Sequence, residues 1–577
     1  MQRLVRILVF VVTAAACLTV TSGLAVRAEV GAEETEPRPE IRAFWVDAFH
    51  DGAKTPAQID KLVSDAVRSN VNTLIVQVRR RGDAYYNLSP LEPRTEDPAL
   101  PPDFDALQYL IERAHAHGLE VHAWLNTLVA WSSWATPPQD PKHVWNLHGP
   151  TATGEDNWVS YYRTYNSKTG WSTKVYPSFY LDPGNPHCLD YTVEVYLNIV
   201  RNYDVDGIHL DYSRYAGLGW GYNPTSVARY NARYGTTGMP DPEDPQWAAW
   251  RREQTANLMR KIYLKAIALK PGIKVSSATI AWSAGPVAEG DFEKSRAYNE
   301  VFQDWHGWLK EGIIDLAMPM NYDREWNELQ RTWYDQWIEW EKDYQYGRQT
   351  VIGPAVYLQY IEQGLDQIRR AQAPSAQGNR VAGVSLYSYA CTNLYATDDY
   401  KDPNSPGAKA LPRQPHVYRP ESNEWFYRLL AEPGGYDDPV LGAFIPTTPV
   451  FPSPVPVPAM PWKTNPTKGF LMGTVADFTG RTYDHLKVTL RGPETREVYT
   501  DGYGWFGAAD LTPGHYQVMI SKHDFVGRRL INVWVEPGKM AEANFAQFWQ
   551  KGLSGFGAEK LEFDHSVEPP DPFEETL

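Results

Sequence analysis

The sequence predicts an α/β chain: a (β/α)8 TIM barrel followed by a small all-β sandwich. Three observations carry this reading. Eight short apolar runs alternate with amphipathic segments of helical spacing from residue 41 to about residue 432, the pattern of strands feeding crossover helices. A proline-rich stretch follows at 446–466. Beyond it the apolar period changes from helical to alternating, which marks half-buried strands. At 577 residues the chain is also too long for one ordinary core, so more than one domain is expected.

Taken in order, the expected barrel strands are Ile41–Ala48, Thr73–Val78, Val121–Asn126, Gly207–Asp211, Lys274–Ile280, Asp315–Asn321, Val351–Val356 and Val381–Tyr387. Most are nearly continuous apolar runs, as parallel strands covered on both faces must be. Helical spacing between them places helices over Gln58–Ser69, Phe104–His117, Cys188–Asn202, Trp247–Leu269, Leu329–Tyr344 and Ile361–Ala371. The crossover at Ser295–Lys310 is aromatic and its helix is poorly delimited. The barrel is bounded at 40–435, with a doubly wound open sheet as the alternative to ring closure.

The largest insertion runs from Thr127 to about Pro186 and is rich in rings: Trp131, Trp134, Trp145, Trp158, Tyr161, Tyr162, Tyr165, Trp171, Tyr176, Phe179 and Tyr180. Loops of that length commonly serve as lids or binding walls. This one leaves from the C-terminal end of a strand, so it is expected to form a substrate wall, part of it packed on itself.

The 446–466 segment is expected to be an extended, semi-rigid spacer leaving two independent units. Residues 467–547 show short alternating runs with Gly, Asp and Pro turns, the signature of a β-sandwich. The tail 553–577 is acidic and expected to be disordered.

The chain has 55 basic and 70 acidic residues, a net charge of -15. That balance argues against binding a nucleic-acid backbone, which needs clustered cations. Arg3 and Arg6 precede an apolar run from Ile7 to Ala16, and Val26-Arg27-Ala28 ends in small residues. Residues 1–28 therefore read as a signal peptide, with a secreted or periplasmic destination. Ala14-Ala15-Ala16-Cys17 loosely resembles a lipoprotein box, so membrane attachment follows only if Cys17 is lipidated. Cys188 and Cys391 are the other cysteines, too few for a disulfide framework; they are free thiols or one pair. No HExxH or CxxC spacing occurs, so neither a metal nor another cofactor is expected.

Asp211 ends the apolar run Ile208–Leu210 and is followed by Tyr212, Tyr215, Trp220 and Tyr222. A carboxylate at the catalytic face of a barrel with flat rings beside it suits sugar cleavage; helix capping or an arginine pair is the plainer alternative. Asp323 follows the sixth strand, two strands away, and is its expected partner. Other candidates are Asp47, Asp83, Glu289 and Glu325. Arg79, Arg81 and Asp83 follow the second strand and suit either a substrate carboxylate and hydroxyls or an internal ion pair. Asn126 is placed to bond a sugar hydroxyl or amide, while His122, deeper in the strand, suits the core. Trp45 and Trp124 are barrel fillers or sugar platforms. Tyr212 and Tyr322 are expected at the substrate, Tyr322 tuning Asp323 by a hydrogen bond.

Several motifs occur in one order: Gln77-Val78-Arg79-Arg80-Arg81-Gly82-Asp83-Ala84-Tyr85-Tyr86, His122-Ala123-Trp124-Leu125-Asn126, Tyr180-Leu181-Asp182-Pro183-Gly184, Asp206 to Tyr212, Trp250-Arg251-Arg252 and Pro319-Met320-Asn321-Tyr322. Together, over about residues 40–360, they resemble the bacterial glycosyl-hydrolase-like family 10, which includes envelope enzymes that cut peptidoglycan glycan strands. The resemblance implies a glycoside hydrolase acting on a polysaccharide or peptidoglycan glycan. The family commonly carries a second aspartate where this chain has Tyr212, so an inactive glycan-binding barrel or an envelope scaffold is the alternative. A fainter resemblance to family 18 chitinases lacks their acid, which falls at Ser213. Thr500-Asp501-Gly502-Tyr503-Gly504-Trp505-Phe506 and Pro513-Gly514-His515-Tyr516 resemble the carboxypeptidase-regulatory-like, transthyretin-like sandwich.

Overall fold

The computed structural model describes residues 38–545, apart from 133–135, 176–177, 478, 523–524 and 526. Residues 1–37, with the expected signal peptide and Cys17, the acidic tail, Trp134 and Tyr176 lie outside the described residues. Eight parallel strands close into a ring in chain order: β1 Ile41–Val46, β2 Thr73–Arg79, β3 Glu120–Asn126, β4 Gly207–Asp211, β5 Lys274–Ile280, β6 Leu316–Asn321, β7 Gln349–Pro354 and β8 Gly383–Tyr387. Pairing of Ile41 with Gly383 completes the ring, so the open sheet is excluded. A Cβ on Gly383 would lie 1.9 Å from the Ile41 carbonyl oxygen; only glycine lets the first and last strands meet there.

Each strand is buried on both sides, which is why the runs read as apolar. Ile41, Ala43, Trp45, Ile75, Trp124, Leu316, Met318 and Val351 fill the lumen. Phe44, Val46, Leu74, Val76, Val121, Leu125, Ile208 and Leu210 pack outward against the helices. Several of those helices begin where a proline follows a capping side chain. Thr55 caps α1 (Pro56–Arg68) by accepting from the Gln58 amide. α2 (Ala106–His115) is capped by Asp105 and α3 (Pro186–Asn202) by Asn185. An additional helix, α4 (Pro224–Tyr234), precedes α5 (Pro245–Leu269). The aromatic fifth crossover is broken: after the short helix Arg296–Asn299, Phe302 has φ 56°, and α6 (Trp305–Glu311) leads into β6. α7 (Glu328–Asp343), α8 (Ile361–Gln372) and α9 (Ser422–Ala431) complete the outer layer.

The proline-rich segment does not stand off as a spacer. It lies across the N-terminal end of the barrel, where Met460 joins the lumen cluster and Val457 and Trp462 pack against it. Proline leaves carbonyls without internal donors, and the strand starts supply them. The Glu40 amide donates to Pro456 O at 3.0 Å, the Asn72 side-chain amide to Val455 O at 3.1 Å, and the Gln349 side-chain amide to Ala459 O at 3.2 Å. Asp315, fully buried, accepts the Trp462 indole N–H at 2.7 Å and pairs with Lys463 at 3.0 Å.

After this plug come β9 (Gly469–Thr474), β10 (Lys487–Arg491), β11 (Thr495–Tyr499), β12 (Trp505–Leu511), β13 (Gly514–Ile520), β14 (Leu530–Val535) and β15 (Met540–Glu542). They form a three-stranded and a four-stranded sheet, in the orders β12-β9-β15 and β11-β10-β13-β14, around a core that includes Leu471, Val488, Phe506, Val518 and Val535. These sheets dock on the barrel. Phe470, Trp505 and Ala509 join the barrel's outer core. Gly507 lets β12 approach α5, since a Cβ there would lie 2.4 Å from Leu264. The buried Lys261 of α5 sits between Asp190 of α3 at 2.5 Å and Asp501 at 2.7 Å. Arg348 pairs with Asp510 at 2.7 Å and Arg229 with Asp484 at 2.7 Å.

Two outcomes follow. Limited proteolysis of the native chain should spare 446–466, and barrel and sheets should unfold in one calorimetric transition; release of a folded C-terminal piece would contradict the docking. Lys261→Ala leaves Asp501 buried without its cation and should lower stability by about 3–5 kcal/mol, measured by denaturant unfolding.

Candidate active site

β4 alternates Gly207, His209 and Asp211 toward the lumen, and the two polar members have opposite surroundings. His209 is fully buried, and burial holds its imidazole well below the usual range. The Trp45 indole N–H donates to His209 Nε2 at 3.2 Å. The neutral ring therefore carries its proton on Nδ1, which donates to Ser276 Oγ at 2.9 Å. Asp211, one turn of the pleat higher, forms no ion pair among the described residues. It is 6% exposed, and burial pushes its carboxyl up to about 6, against the Arg214 charge, the Tyr212 amide and the Trp124 indole. The amide donates at 2.7 Å. The Trp124 N–H has no hydrogen bond within geometric reach, so it acts on Asp211 only as a nearby dipole.

Aromatic rings surround this carboxylate. Tyr212, at φ 50°, places its ring 4.7 Å beneath the Arg214 guanidinium, which also covers Trp282 at 5.3 Å. Arg214 is 7% exposed and forms no salt bridge among the described residues. Tyr180 lies 6.2 Å from Tyr212. Tyr322 stacks on Tyr387 at 5.5 Å and 16°, with Tyr357 edge-on to both. Tyr387 in turn rests on Trp45 and Trp124. Tyr212 and Tyr322 stand beside Asp211, joined by Arg214, Trp282, Tyr357 and Tyr387, which the motifs do not single out. Arg214, three residues past the strand-end acid, was the one with a positional signal.

Asp323 is also 6% exposed. Burial raises its carboxyl to about 7, opposed only by Arg324, and its Oδ2 has no hydrogen-bond partner. Its backbone carbonyl accepts from Gln359 at 2.7 Å and Gln367 at 2.9 Å. No hydrogen bond joins it to Tyr322, which is engaged with Tyr387 instead, and none joins it to Asp211. Nearby Glu341 of α7 bonds Asn321 and is itself pushed up to about 8, chiefly by burial. The other candidate acids are occupied or outlying. Asp47 accepts from His50 Nδ1 at 2.8 Å and from the Phe49 and His50 amides. Glu325 pairs with Arg370 at 2.5 Å, and Glu289 is exposed.

Several expected substrate contacts are internal. Arg79 is buried against Glu92 at 2.7 Å, which also accepts from Tyr191, and its other nitrogen donates to the Asn126 carbonyl; the ion-pair alternative is the correct one. Asp83 accepts from the Arg80 and Arg81 amides and the Thr95 hydroxyl, closing its own loop. Asn126 spends both ends of its amide, accepting from Gln77 at 2.9 Å and donating to Arg80 O at 3.0 Å. Trp124 is a lumen filler, 5% exposed. Tyr215, Trp220 and Tyr222 pack in small cores. In the insertion, Trp131 stacks with Trp145 and Phe179, while Tyr165 and Trp171 stay 61% and 45% exposed on the hairpin Tyr162–Asn166/Gly170–Lys174. Among the described residues no cluster of three His, Cys, Asp or Glu is arranged to hold a metal.

Because Arg79 is structural, Arg79→Ala should cost about 3–5 kcal/mol of stability by leaving Glu92 buried and unpaired. Substrate affinity of the folded fraction should be unchanged; equilibrium unfolding and titration calorimetry separate the two.

The family model described as glycosyl hydrolase-like 10 matches residues 40–362. Glycosyl hydrolase YngK of Bacillus subtilis (strain 168) is 26% identical over 301 residues, 49% of this chain and 54% of the relative. Glycosyl hydrolase DigH of Escherichia coli (strain K12) is 28% identical over 285 residues, 46% of this chain and 57% of the relative. The chain thus spans about half the length of the curated relatives it matches. Among solved structures, the glycoside hydrolase domain of PgaB (BpsB) from Bordetella bronchiseptica superposes with a TM-score of 0.43 at 16% identity, covering 66% of this chain and 100% of that domain.

Proposed function

The chain belongs to the glycosyl hydrolase-like 10 family, and from that premise we propose that it is an exported glycoside hydrolase cutting peptidoglycan glycan strands or a related N-acetylated polysaccharide. The observation that carries this is Asp211, a buried carboxylate with no ion pair among the described residues, at the C-terminal end of β4 with rings of Tyr180, Tyr212, Tyr322 and Tyr387 about it. Flat rings suit sugar faces, and the acid stands where barrel enzymes hold their chemistry. The leader at 1–28 supports export, and the acidic balance favours a polysaccharide over nucleic acid.

Glycoside cleavage uses one ionised and one protonated carboxyl group. Of the strand-end acids Asp47, Asp211 and Asp323, the last two form no ion pair among the described residues, whereas Asp47 is paired with His50; the surroundings of Asp211 and Asp323 separate them. Arg214, the Tyr212 amide and the Trp124 indole favour ionised Asp211. Asp323 has only Arg324 to favour its charge and keeps its proton to higher pH. We therefore assign Asp211 as the carboxylate facing the developing oxocarbenium centre and Asp323 as the proton donor. The two-sheet C-terminal unit, resembling a carboxypeptidase-regulatory-like sandwich, braces the barrel and carries no chemistry.

The active form has Asp211 ionised, above about 6, and Asp323 protonated, below about 7. The kcat/KM profile should therefore be a narrow bell with its maximum between those values. Asp211→Asn and Asp323→Asn should each lower turnover by about 10²- to 10⁴-fold, scored as fragments released from purified peptidoglycan, chitin and plant glucans. An aryl glycoside with a good leaving group should rescue Asp323→Asn and not Asp211→Asn. An Asp211→Asn variant within about threefold of the parent would return the barrel to glycan binding alone.

A further inference from the structure

A second constellation stands at the same end of the barrel, between β1 and β8, and glycoside cleavage does not use it. Asp47, just past β1, is 3% exposed and holds His50 through Nδ1 at 2.8 and 3.1 Å. The other ring nitrogen, Nε2, lies 3.9 Å from Cys391 Sγ, four residues beyond β8. Cys391 is a free thiol and, with His50, walls a cavity of about 340 Å³. The His50 side chain is 38% exposed, so the cavity is reached from solvent. A carboxylate, an imidazole and a thiol in series is the arrangement that makes sulfur nucleophilic.

We propose that Cys391 is a modification site: a sulfur made nucleophilic by His50 and Asp47 that takes small, uncharged hydroperoxides. The hydrogen bond that His50 Nδ1 donates to Asp47 pushes the imidazole up to about 10, with Cys391 adding to it, so a positive charge faces the sulfur at neutral pH. The size and charge of the cavity select the oxidant. Asp51, Asp398, Glu421 and Glu424 line it, and its one lysine, Lys61, is paired with Asp65 and Glu424. Anionic disulfides are repelled by such a rim, whereas hydrogen peroxide is neutral. Tyr357, Tyr418 and Tyr427, which also act on the sulfur, are held protonated at neutral pH by pKa values pushed above 10.

In the reaction the thiolate attacks one peroxide oxygen. The S–O bond forms as the O–O bond breaks, and the departing hydroxide takes the Nε2 proton of His50 to leave as water. Sulfur is oxidised by two electrons to sulfenic acid and peroxide is reduced by two. Cys188 is the reference within the same molecule. It is fully buried, and burial pushes its thiol far above the usual range.

The test uses the full chain, hydrogen peroxide and dimedone, with peptide mapping by mass spectrometry to separate Cys391 from Cys188 and Cys17. Cys391 should acquire the adduct at least about tenfold faster than Cys188. His50→Gln, which keeps a donor for Asp47 but no acid for the leaving hydroxide, should slow it by about tenfold or more, with the thermal midpoint confirming that the variant is folded. Equal labelling of the two cysteines, or an unchanged rate in His50→Gln, overturns the proposal. Alkylation of the parent by neutral iodoacetamide gives a variant-free check. Its rate at Cys391 should exceed that at Cys188 by about tenfold or more, whereas equal rates overturn the proposal.

Discussion

The hydrogen bond from Trp45 to His209 across the barrel lumen is the contact on which the site depends. An eight-stranded barrel has an interior just wide enough to be filled by side chains, and here two indoles and an imidazole fill it directly below Asp211. Trp45 fits because β7 carries Gly353 opposite it, where a Cβ would lie 2.7 Å from the indole ring. The bond fixes His209 as a neutral ring, so no cation rises from beneath to neutralise Asp211. Desolvation then dominates that carboxylate, and its elevated proton affinity is a consequence of how the lumen is packed.

The same economy of cations governs the rest of the molecule. In a chain with net charge -15, buried basic groups are spent on architecture. Lys261 joins two barrel helices to the C-terminal sheets, Arg79 ties the second strand to the loop at Glu92, and Lys463 anchors the proline segment on Asp315. Arg251, fully buried, donates to the carbonyls of Leu218, Trp220 and Pro242 and so holds the loop after β4. Arg214 is the exception, a buried guanidinium over Tyr212 and Trp282 with no carboxylate bound. Its isolation next to Asp211 distinguishes a group kept for the site from groups that serve the frame.

The proline segment shows how a composition rule can be locally correct and globally misleading. From 448 to 460 the segment has no helix or strand, as repeated proline demands, and the short helix Pro461–Thr464 follows. Such backbone exposes carbonyls, however, and the Glu40 amide with the side-chain amides of Asn72 and Gln349, at the strand starts, donates to them. Once Met460 enters the lumen from below, the segment becomes the floor of the barrel. The C-terminal sheets are then held close and pack against α5.

Periodicity alone determined the eight strands, most of the helix boundaries, the two-sheet unit and the place of Asp211, because burial on both faces and proline-capped helix starts are local properties of the chain. Most of the helices, from α1 to α8, begin within two residues of where spacing puts them. Local sequence also marked Tyr212 and Tyr322 as neighbours of the site. Only the tertiary structure decided which polar side chains were free. Arg79, Asp83 and Asn126 look like ligands in a motif and are satisfied by Glu92, Thr95 and Gln77, residues from other turns of the chain. Tyr387 reaches Tyr322 from β8 and Tyr357 from the turn after β7, and Cys391 meets His50 from the opposite end of the ring sequence. Hydrogen-bond satisfaction and desolvation are sums over everything that surrounds a group. Ring closure, which brings residue 41 beside residue 383, sets those sums, and no window of sequence contains them.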